Sequence, residues 1–312
     1  ICSYISTFCP GIVHTHGSKP GVLGRIAAKR LGVPAILHTY HGHVFHGYFH
    51  PIVSGIIVRL ERWLAKRSTA LIAINRQLQQ ELVHQYKIAP AAAVLLNRLG
   101  INHAGFRDPD GQKRSRFRQE VGLAPNDIVI GIVGRLVPIK QHSLFVQLVA
   151  GLLASLNNMP GLRFVVVGDG GERPRIESLL QQQQVSFAQA GHSKAAGSRV
   201  VFTGWRQDMD AVMAGLDILL LTSRNEGTPV SILEAMAAAK PIVATAVGGI
   251  GELLQQAQCG YCSNEPSGLQ TMLLQLIQNP AQRLHLGQNG YEYVKKHLSL
   301  EKQANELKCI AL

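Results

Sequence analysis

Short, unbroken apolar runs alternate with helical periodicities along nearly the whole chain. Gly11-Ile12-Val13-His14, Ala35-Ile36-Leu37-His38 and Ala70-Leu71-Ile72-Ala73-Ile74 read as buried strands, and helical spacing follows over 22–31, 51–66 and 77–86. A second series opens on Ile128-Val129-Ile130-Gly131-Ile132-Val133 and continues with apolar runs at 164–167, 200–203, 218–221 and 242–244. Its helices are expected near 141–156, 172–183, 208–214, 231–239 and 249–257, then from Pro280 to Lys296 and again from Leu300. Strands with no polar alternation are buried on both faces, which predicts parallel sheets covered by helices. Right-handed crossovers make each series a doubly wound unit. The polar stretch Arg107-Asp108-Pro109-Asp110-Gly111-Gln112-Lys113-Arg114 reads as a linker, so the expected first domain is 1–107 and the second begins at 108.

With 46% hydrophobic and 16% charged residues over 312 positions, the chain has material for a large core, and disorder is excluded. No apolar run approaches the ~18–20 residues of a spanning helix. Five cysteines are too few and too scattered for a disulfide framework, and they point to a reducing compartment. Cys259-Gly260-Tyr261-Cys262 has redox spacing but lies after a helical stretch and before Pro266, so it reads as a loop or short strand. The charge of +12 is uneven. Residues 1–120 carry 16 Lys and Arg against 5 acids; residues 121–312 carry 15 against 14. The first third is therefore expected to face an anionic partner, with phosphate-bearing substrates, anionic lipid headgroups and nucleic acid all open on charge alone. Absence of an aromatic-interleaved basic stretch argues against nucleic acid.

Ligands of open α/β sheets bind beyond the carboxyl ends of the strands, so the strand-to-helix loops carry the candidate chemistry. Strand 128–133 runs into Gly134-Arg135-Leu136-Val137-Pro138-Ile139-Lys140. A tight turn, two cations and a helix N-terminus together suit a diphosphate, although solvated loop charges would look the same. Strand 218–221 leads into Ser223-Arg224-Asn225-Glu226-Gly227-Thr228-Pro229-Val230, with Thr228-Pro229 expected to cap the next helix. Glu226 stands in that loop with nothing obvious to cap. Glu234 lies on the second helical turn, where it could bind hydroxyls or merely serve a capping box with Ser231. Val167-Gly168-Asp169-Gly170 is a tight turn with only two of three dinucleotide-fingerprint glycines. In the first series, His14-Thr15-His16 and His38-Thr39-Tyr40-His41-Gly42-His43 each end a strand, with His46 and His50 following. No Cys or carboxylate completes a ligand set there, so these read as polar rims lining one cleft, and no metal is expected.

Taken together, these residues resemble the retaining glycosyltransferases of family four, whose GT-B fold sets two Rossmann-like domains across a cleft. Glu226-Gly227-x-Pro229-Val230-x-x-x-Glu234-Ala235-Met236 is similar to the family's E-x7-E element. Pro241-Ile242-Val243-Ala244-Thr245, Gly134-Arg135-Leu136 with Lys140, Val167-Gly168-x-Gly170 and Phe202-Thr203-Gly204-Trp205 fit in order and spacing, as do His14-Thr15-His16, Ser18-Lys19 and Thr39-Tyr40-His41-Gly42.

The resemblance implies that Arg135 and Lys140 hold the diphosphate of a nucleotide sugar and stabilise the leaving group. Gly134, Gly204 and the loop Gly227, Thr228, Pro229 and Val230 would complete the donor site. Glu226 would contact the transferred sugar and Glu234 the ribose. His41 would approach the sugar from the first domain, with His14, His16, Lys19 and His43 on the acceptor side. It further implies a second domain of 108–290, a segment 291–312 returning to the first domain, and a first domain lacking its opening strand and Gly-Gly loop. The expected reaction is hexose transfer from a nucleoside-diphosphate sugar to a glycan or lipid-linked acceptor with retained configuration, without metal or other cofactor. A cytoplasmic location follows, peripheral on an anionic membrane face. The alternatives are a sugar-nucleotide epimerase or hydrolase of the same fold, or a truncated module that binds nucleotide sugars without turnover.

Overall fold

Both apolar series fold as parallel sheets in this computed structural model, which describes residues 1–42, 45, 50–157 and 159–311. The elements begin with α1 (Cys2–Phe8), β1 (Ile12–His16), α2 (Ser18–Arg30), β2 (Ala35–Tyr40), α3 (Pro51–Ala65), β3 (Ala70–Ala73), α4 (Arg76–Gln80) and β4 (Val94–Leu96). They continue with α5 (Gln112–Val121), β5 (Ile128–Val133), α6 (His142–Ser155), β6 (Leu162–Val167), α7 (Arg173–Gln182), β7 (Phe187–Gln189), β8 (Val200–Gly204) and α8 (Met209–Gly215). The last are β9 (Ile218–Leu221), α9 (Val230–Ala237), β10 (Ile242–Ala244), α10 (Ile250–Ala257), β11 (Gly260–Cys262), α11 (Pro266–Gln278), α12 (Pro280–His297) and α13 (Leu300–Ala311). Two compact units result: residues 1–100 with 300–312, and residues 101–299.

The first unit is built on the parallel sheet β1-β2-β3-β4. Its register sets His16 beside Thr39, so β1 and β2 end side by side. A buried ion pair joins the two helices that follow them: Arg25 Nη2 lies 2.8 Å from Glu61 Oε2, and Tyr40 Oη donates to the same oxygen at 2.6 Å. On another part of this sheet, Leu307 and Ile310 of α13 pack against the cluster of Leu37, Ala70 and Ile72. Gln303 fastens the same helix by accepting from the Gly100 N–H at 3.0 Å.

The second unit orders its strands β11-β10-β9-β5-β6-β8-β7, all parallel. From β5 the chain builds outward on one side through β6, and then returns to β9 to build the other. That reversal is a topological switch point, the place where open α/β sheets bind ligands, and the loops leaving the carboxyl ends of β5 and β9 meet there. Phe145, Leu152, Phe164, Val166, Phe202 and Leu220 fill the core beneath it.

Part of the charged stretch 107–114 is helical. The Asp108 carboxylate accepts the N–H groups of Lys113 and Arg114 at 3.0 and 2.8 Å, which starts α5 inside the segment read as linker. Buried Arg118 then donates to the carbonyls of Ala124, Pro125, Asp127 and Gly215 and pairs with Asp217 at 2.7 Å. Charge there serves structure. α11 also went unanticipated, though Leu269, Leu273, Leu276 and Ile277 recur at helical spacing and are buried.

Candidate functional site

Five strand ends of the second unit are knitted into one rim. Gly134 N–H donates to Val167 O at 3.0 Å, Gly168 N–H to Gly204 O at 2.9 Å, and Leu136 N–H to Asp169 O at 2.9 Å. These tie together the loops after β5, β6 and β8. Gly168 has φ 127°, and a Cβ there would stand 2.1 Å from Gly134 O, so the close approach needs glycine. On the other side, Arg224 N–H donates to Ile139 O at 2.8 Å, Thr222 Oγ1 to Lys140 O at 2.9 Å, and Thr245 Oγ1 to Ser223 O at 2.6 Å. Gly249 N–H bonds Gly227 O at 3.1 Å.

This knitting brings Lys140 to Glu226 across 86 positions: Nζ lies 2.5 Å from Oε1, and Ser223 Oγ donates to the same oxygen at 2.6 Å. The Lys140 side chain runs beside Gly134, where a Cβ would sit 3.3 Å from its Cε. The Arg135 side chain is exposed, and its guanidinium makes no hydrogen bond or ion pair among the described residues; only its carbonyl is engaged, accepting from Val137 N–H at 2.9 Å. Glu234 sits on the second turn of α9, half-buried, and burial holds its carboxyl above the usual carboxylate range. That helix begins at Val230 with Pro229 at its N-cap, one residue later than the sequence suggests, and Ser231 lies inside its first turn, where it cannot head a capping box with Glu234. Glu234 is thereby left without a capping duty. A pocket of about 280 Å³ adjoins the rim, lined by residues including Gln141, Ser143, Ser223, Arg224, Thr245 and Asn264.

The first unit gathers histidines at the corresponding carboxyl edge. His14 Nε2 lies 2.7 Å from Thr39 Oγ1, His16 Nδ1 lies 2.9 Å from His41 Nε2, and His38 Nδ1 lies 2.9 Å from Thr15 Oγ1. The rings of His14 and His16 are 4.2 Å apart between centroids. Burial, reinforced by neighbouring histidines, pushes His14 down to about 4. Burial and then Arg25 push His38 down to about 3, and burial and His16 lower His41. His14, His38 and His41 are therefore neutral near pH 7 and can exchange hydrogen bonds without carrying charge. Lys19 is exposed on the first turn of α2. His43 and His46 lie outside the described residues. Among the described residues, no three His, Cys, Asp or Glu side chains converge as a metal site requires.

Thr39 and Ser223 lie within motifs read from the sequence but have no role assigned there, and Thr222 lies outside them. A hydroxyl directly after or within a strand's last residues was the available signal, since such groups can bond neighbouring loops.

The glycosyl transferases group 1 family matches residues 127–279, and the glycosyl transferase 4-like domain matches residues 2–100. The chain is 30% identical over 250 residues to the Escherichia coli UDP-Gal:alpha-D-GlcNAc-diphosphoundecaprenol alpha-1,3-galactosyltransferase, covering 80% of this chain and 61% of that protein. It is 28% identical over 261 residues to a D-inositol 3-phosphate glycosyltransferase of Jonesia denitrificans, covering 80% and 58%. The chain thus spans about three-fifths of these relatives. Its fold matches Anabaena HepE in complex with UDP (TM-score 0.82, 21% identity, 98% of this chain and 80% of that one). It also matches sucrose-phosphate synthase of Thermosynechococcus elongatus (TM-score 0.80, 20% identity, 99% and 74%). With both halves matched, and with two Rossmann-like parallel-sheet units of the GT-B kind, the chain belongs to the family-four glycosyltransferases.

Proposed function

We propose that the protein transfers a hexose from a nucleoside-diphosphate sugar to a hydroxyl of a glycan or lipid-linked acceptor, with retention of configuration. The observation that carries this reading is the Lys140–Glu226 ion pair beside the exposed guanidinium of Arg135. It puts two cations and a carboxylate at one switch-point crevice, the combination that a diphosphate joined to a polyol calls for. A bound diphosphate would draw Lys140 from Glu226 and release the carboxylate to accept sugar hydroxyls. As the bond from the anomeric carbon to the diphosphate breaks, negative charge grows on the leaving group, and Arg135 and Lys140 are preorganised to stabilise it. Backbone N–H groups of 227–230 and Gly134 would line the phosphates, and Gly204 the nucleoside. Glu234, freed from capping, would hold the ribose.

In the same reading, His41 contacts the sugar as a neutral hydrogen-bonding group, with His14, His16 and Lys19 toward the acceptor. The two cations supply the electrostatics, so no metal or other cofactor is required. The UDP-sugar named for the Escherichia coli relative and the UDP bound in HepE support a uridine nucleotide as first probe. An acceptor anchored in an anionic cytoplasmic membrane face accords with the basic first unit.

The test is transfer or hydrolysis across a set of nucleoside-diphosphate sugars, comparing the parent with Arg135→Ala and Lys140→Ala. Each should lower kcat/KM at least tenfold, or ~1.4 kcal/mol. Smaller losses, or an epimerised donor as product, would overturn the assignment.

A further inference from the structure

α3 is apolar on two opposite faces. Leu64 is buried, and Ile57 and Val58 pack against a cluster that includes Tyr40, Leu71 and Ala73 of the sheet, as a helix covering a parallel sheet demands. Ile52, Ile56, Leu60 and Trp63 recur at intervals of three and four on the other side, where burial should be absent. They are exposed: Ile52 by 70%, Ile56 by 58% and Trp63 by 42%. The neighbouring helix α2, joined to α3 by the Arg25–Glu61 pair, exposes Leu23 by 58% and also Ile26. A run of large apolar side chains turned outward on two adjacent helices marks a surface that something covers.

Charge identifies what. Lys19, Lys29 and Arg30 are exposed on α2, and Arg59, Arg62 and Lys66 on or just after α3. The acid that the two helices contain is Glu61, which is buried and paired with Arg25. The outward face therefore combines aliphatic and indole side chains with cations and no exposed carboxylate. Arg67 lies 3.6 Å over the Trp63 ring, an arrangement that keeps a cation at the level of an interfacial aromatic. A second copy of the chain would oppose this face with the same positive charge, so self-association across it is electrostatically disfavoured.

We propose that α2 and α3 form a docking face for an anionic phospholipid bilayer. The helices lie in the interface, with Ile52, Ile56 and Trp63 below the headgroups and the cations among the phosphates. The proposal rests on the reading of a membrane-held acceptor for its purpose, though docking requires no sugar transfer.

The experiment is co-sedimentation of the 312-residue chain with vesicles of phosphatidylcholine alone and of phosphatidylcholine mixed with phosphatidylglycerol. Binding should appear with the anionic vesicles and weaken as salt is raised. Ile56→Ser with Trp63→Ser should weaken it at least tenfold. Arg59→Gln with Lys66→Gln should weaken it by about fivefold per cation and flatten its salt dependence. All four side chains are exposed, so unchanged circular dichroism checks that the variants fold. Equal binding to both vesicles, no binding to either, or variants that bind like the parent would overturn the proposal. So would a concentration-dependent dimer that Ile56→Ser with Trp63→Ser dissolves. Transfer to a water-soluble acceptor, measured on the same variants, separates the two readings: docking variants should keep it, and a parent that docks without transferring fails only the enzymatic one.

Discussion

The two units present the same architectural feature, the carboxyl edge of a parallel sheet, with opposite electrostatics. In the second unit the edge is ionic: Lys140 faces Glu226, and Arg135 stands free in solvent. In the first the edge is a set of imidazoles tied to threonine hydroxyls and to one another, three of them held neutral. Yet the first unit is the basic one, with 13 Lys and Arg against 4 acids, where the second has 18 against 15. Net charge and site charge are thus decoupled. Fixed cations at a crevice match a fixed ligand charge, whereas the first unit's excess is spread over helix surfaces such as α2 and α3. The comparison also reverses below the surface: the first unit buries a full ion pair under its neutral edge, and the second floors its ionic edge with apolar side chains.

Breaking that buried pair should give the largest effect. Arg25 is fully buried, Glu61 nearly so, and Arg25 Nη1 has no hydrogen-bond partner among the described residues. Arg25→Met leaves a buried carboxylate unpaired and should cost about 3–5 kcal/mol of stability. Trp63 and Trp205 are the two tryptophans, one in each unit, so Trp205→Phe makes indole fluorescence a reporter of the first unit during urea unfolding. Replacing Glu61 with Met as well should recover most of the loss, because the pair's own desolvation cost disappears with it. Equal instability of single and double variants would mean that packing, not charge, holds α2 to α3.

Disturbing the ionic edge from behind should cost less in stability and more in binding. Gly248 has φ 54°, and a Cβ there would stand 1.7 Å from Glu226 O. Gly248→Ala must displace the loop that aims Glu226 at Lys140. The expected outcome is a loss of about 1–3 kcal/mol in unfolding free energy. Calorimetric affinity for a nucleoside diphosphate should fall at least tenfold, since the Lys140 partner moves. Unchanged affinity would show that the Glu226 loop plays no part in holding the phosphates.

Legibility in the sequence followed the same division. β5, β9 and β10 matched their apolar runs because aliphatic residues buried on both faces leave no polar interruption. The rim residues of the second unit were readable because their loops leave those strands. The Lys140–Glu226 pairing was not, because it depends on strand order and on backbone bonds between loops distant in sequence. β4 and β7 are as short as β10, but β4 follows Ala91-Ala92-Ala93 and β7 ends on Gln189, so neither stands out as a bounded apolar run. Charge misled most. Arg25 and Arg118 counted toward a basic surface, yet both are buried and paired, and the polar stretch at 107–114 hides the first turn of α5. Composition records a charge without recording which way it points.

The finest test of the comparison is acid. His38 is buried, accepts or donates to Thr15 Oγ1, and lies near Arg25, His14, His16 and His41. Its folded value of about 3 lies well below the ordinary 6.5, so the folded state keeps it neutral while the unfolded chain takes up a proton. Unfolding then binds protons between those values, and stability must fall as pH drops through that window. The full contribution is present above pH 6.5 and is lost progressively toward pH 3. For this one side chain the loss by pH 4.5 should be about 1–3 kcal/mol. His14, depressed to about 4 but less buried, adds a smaller term of the same sign. Urea unfolding of the first unit, followed by Trp63 in the Trp205→Phe background, should therefore lose stability steadily from pH 7 to pH 4.5. His38→Asn, which keeps a polar partner for Thr15 but cannot titrate, should flatten that slope while leaving the pH 7 value within about 1 kcal/mol. If the slope survives the substitution, the protons enter elsewhere, and the neutrality of the first unit's edge is not what acid removes.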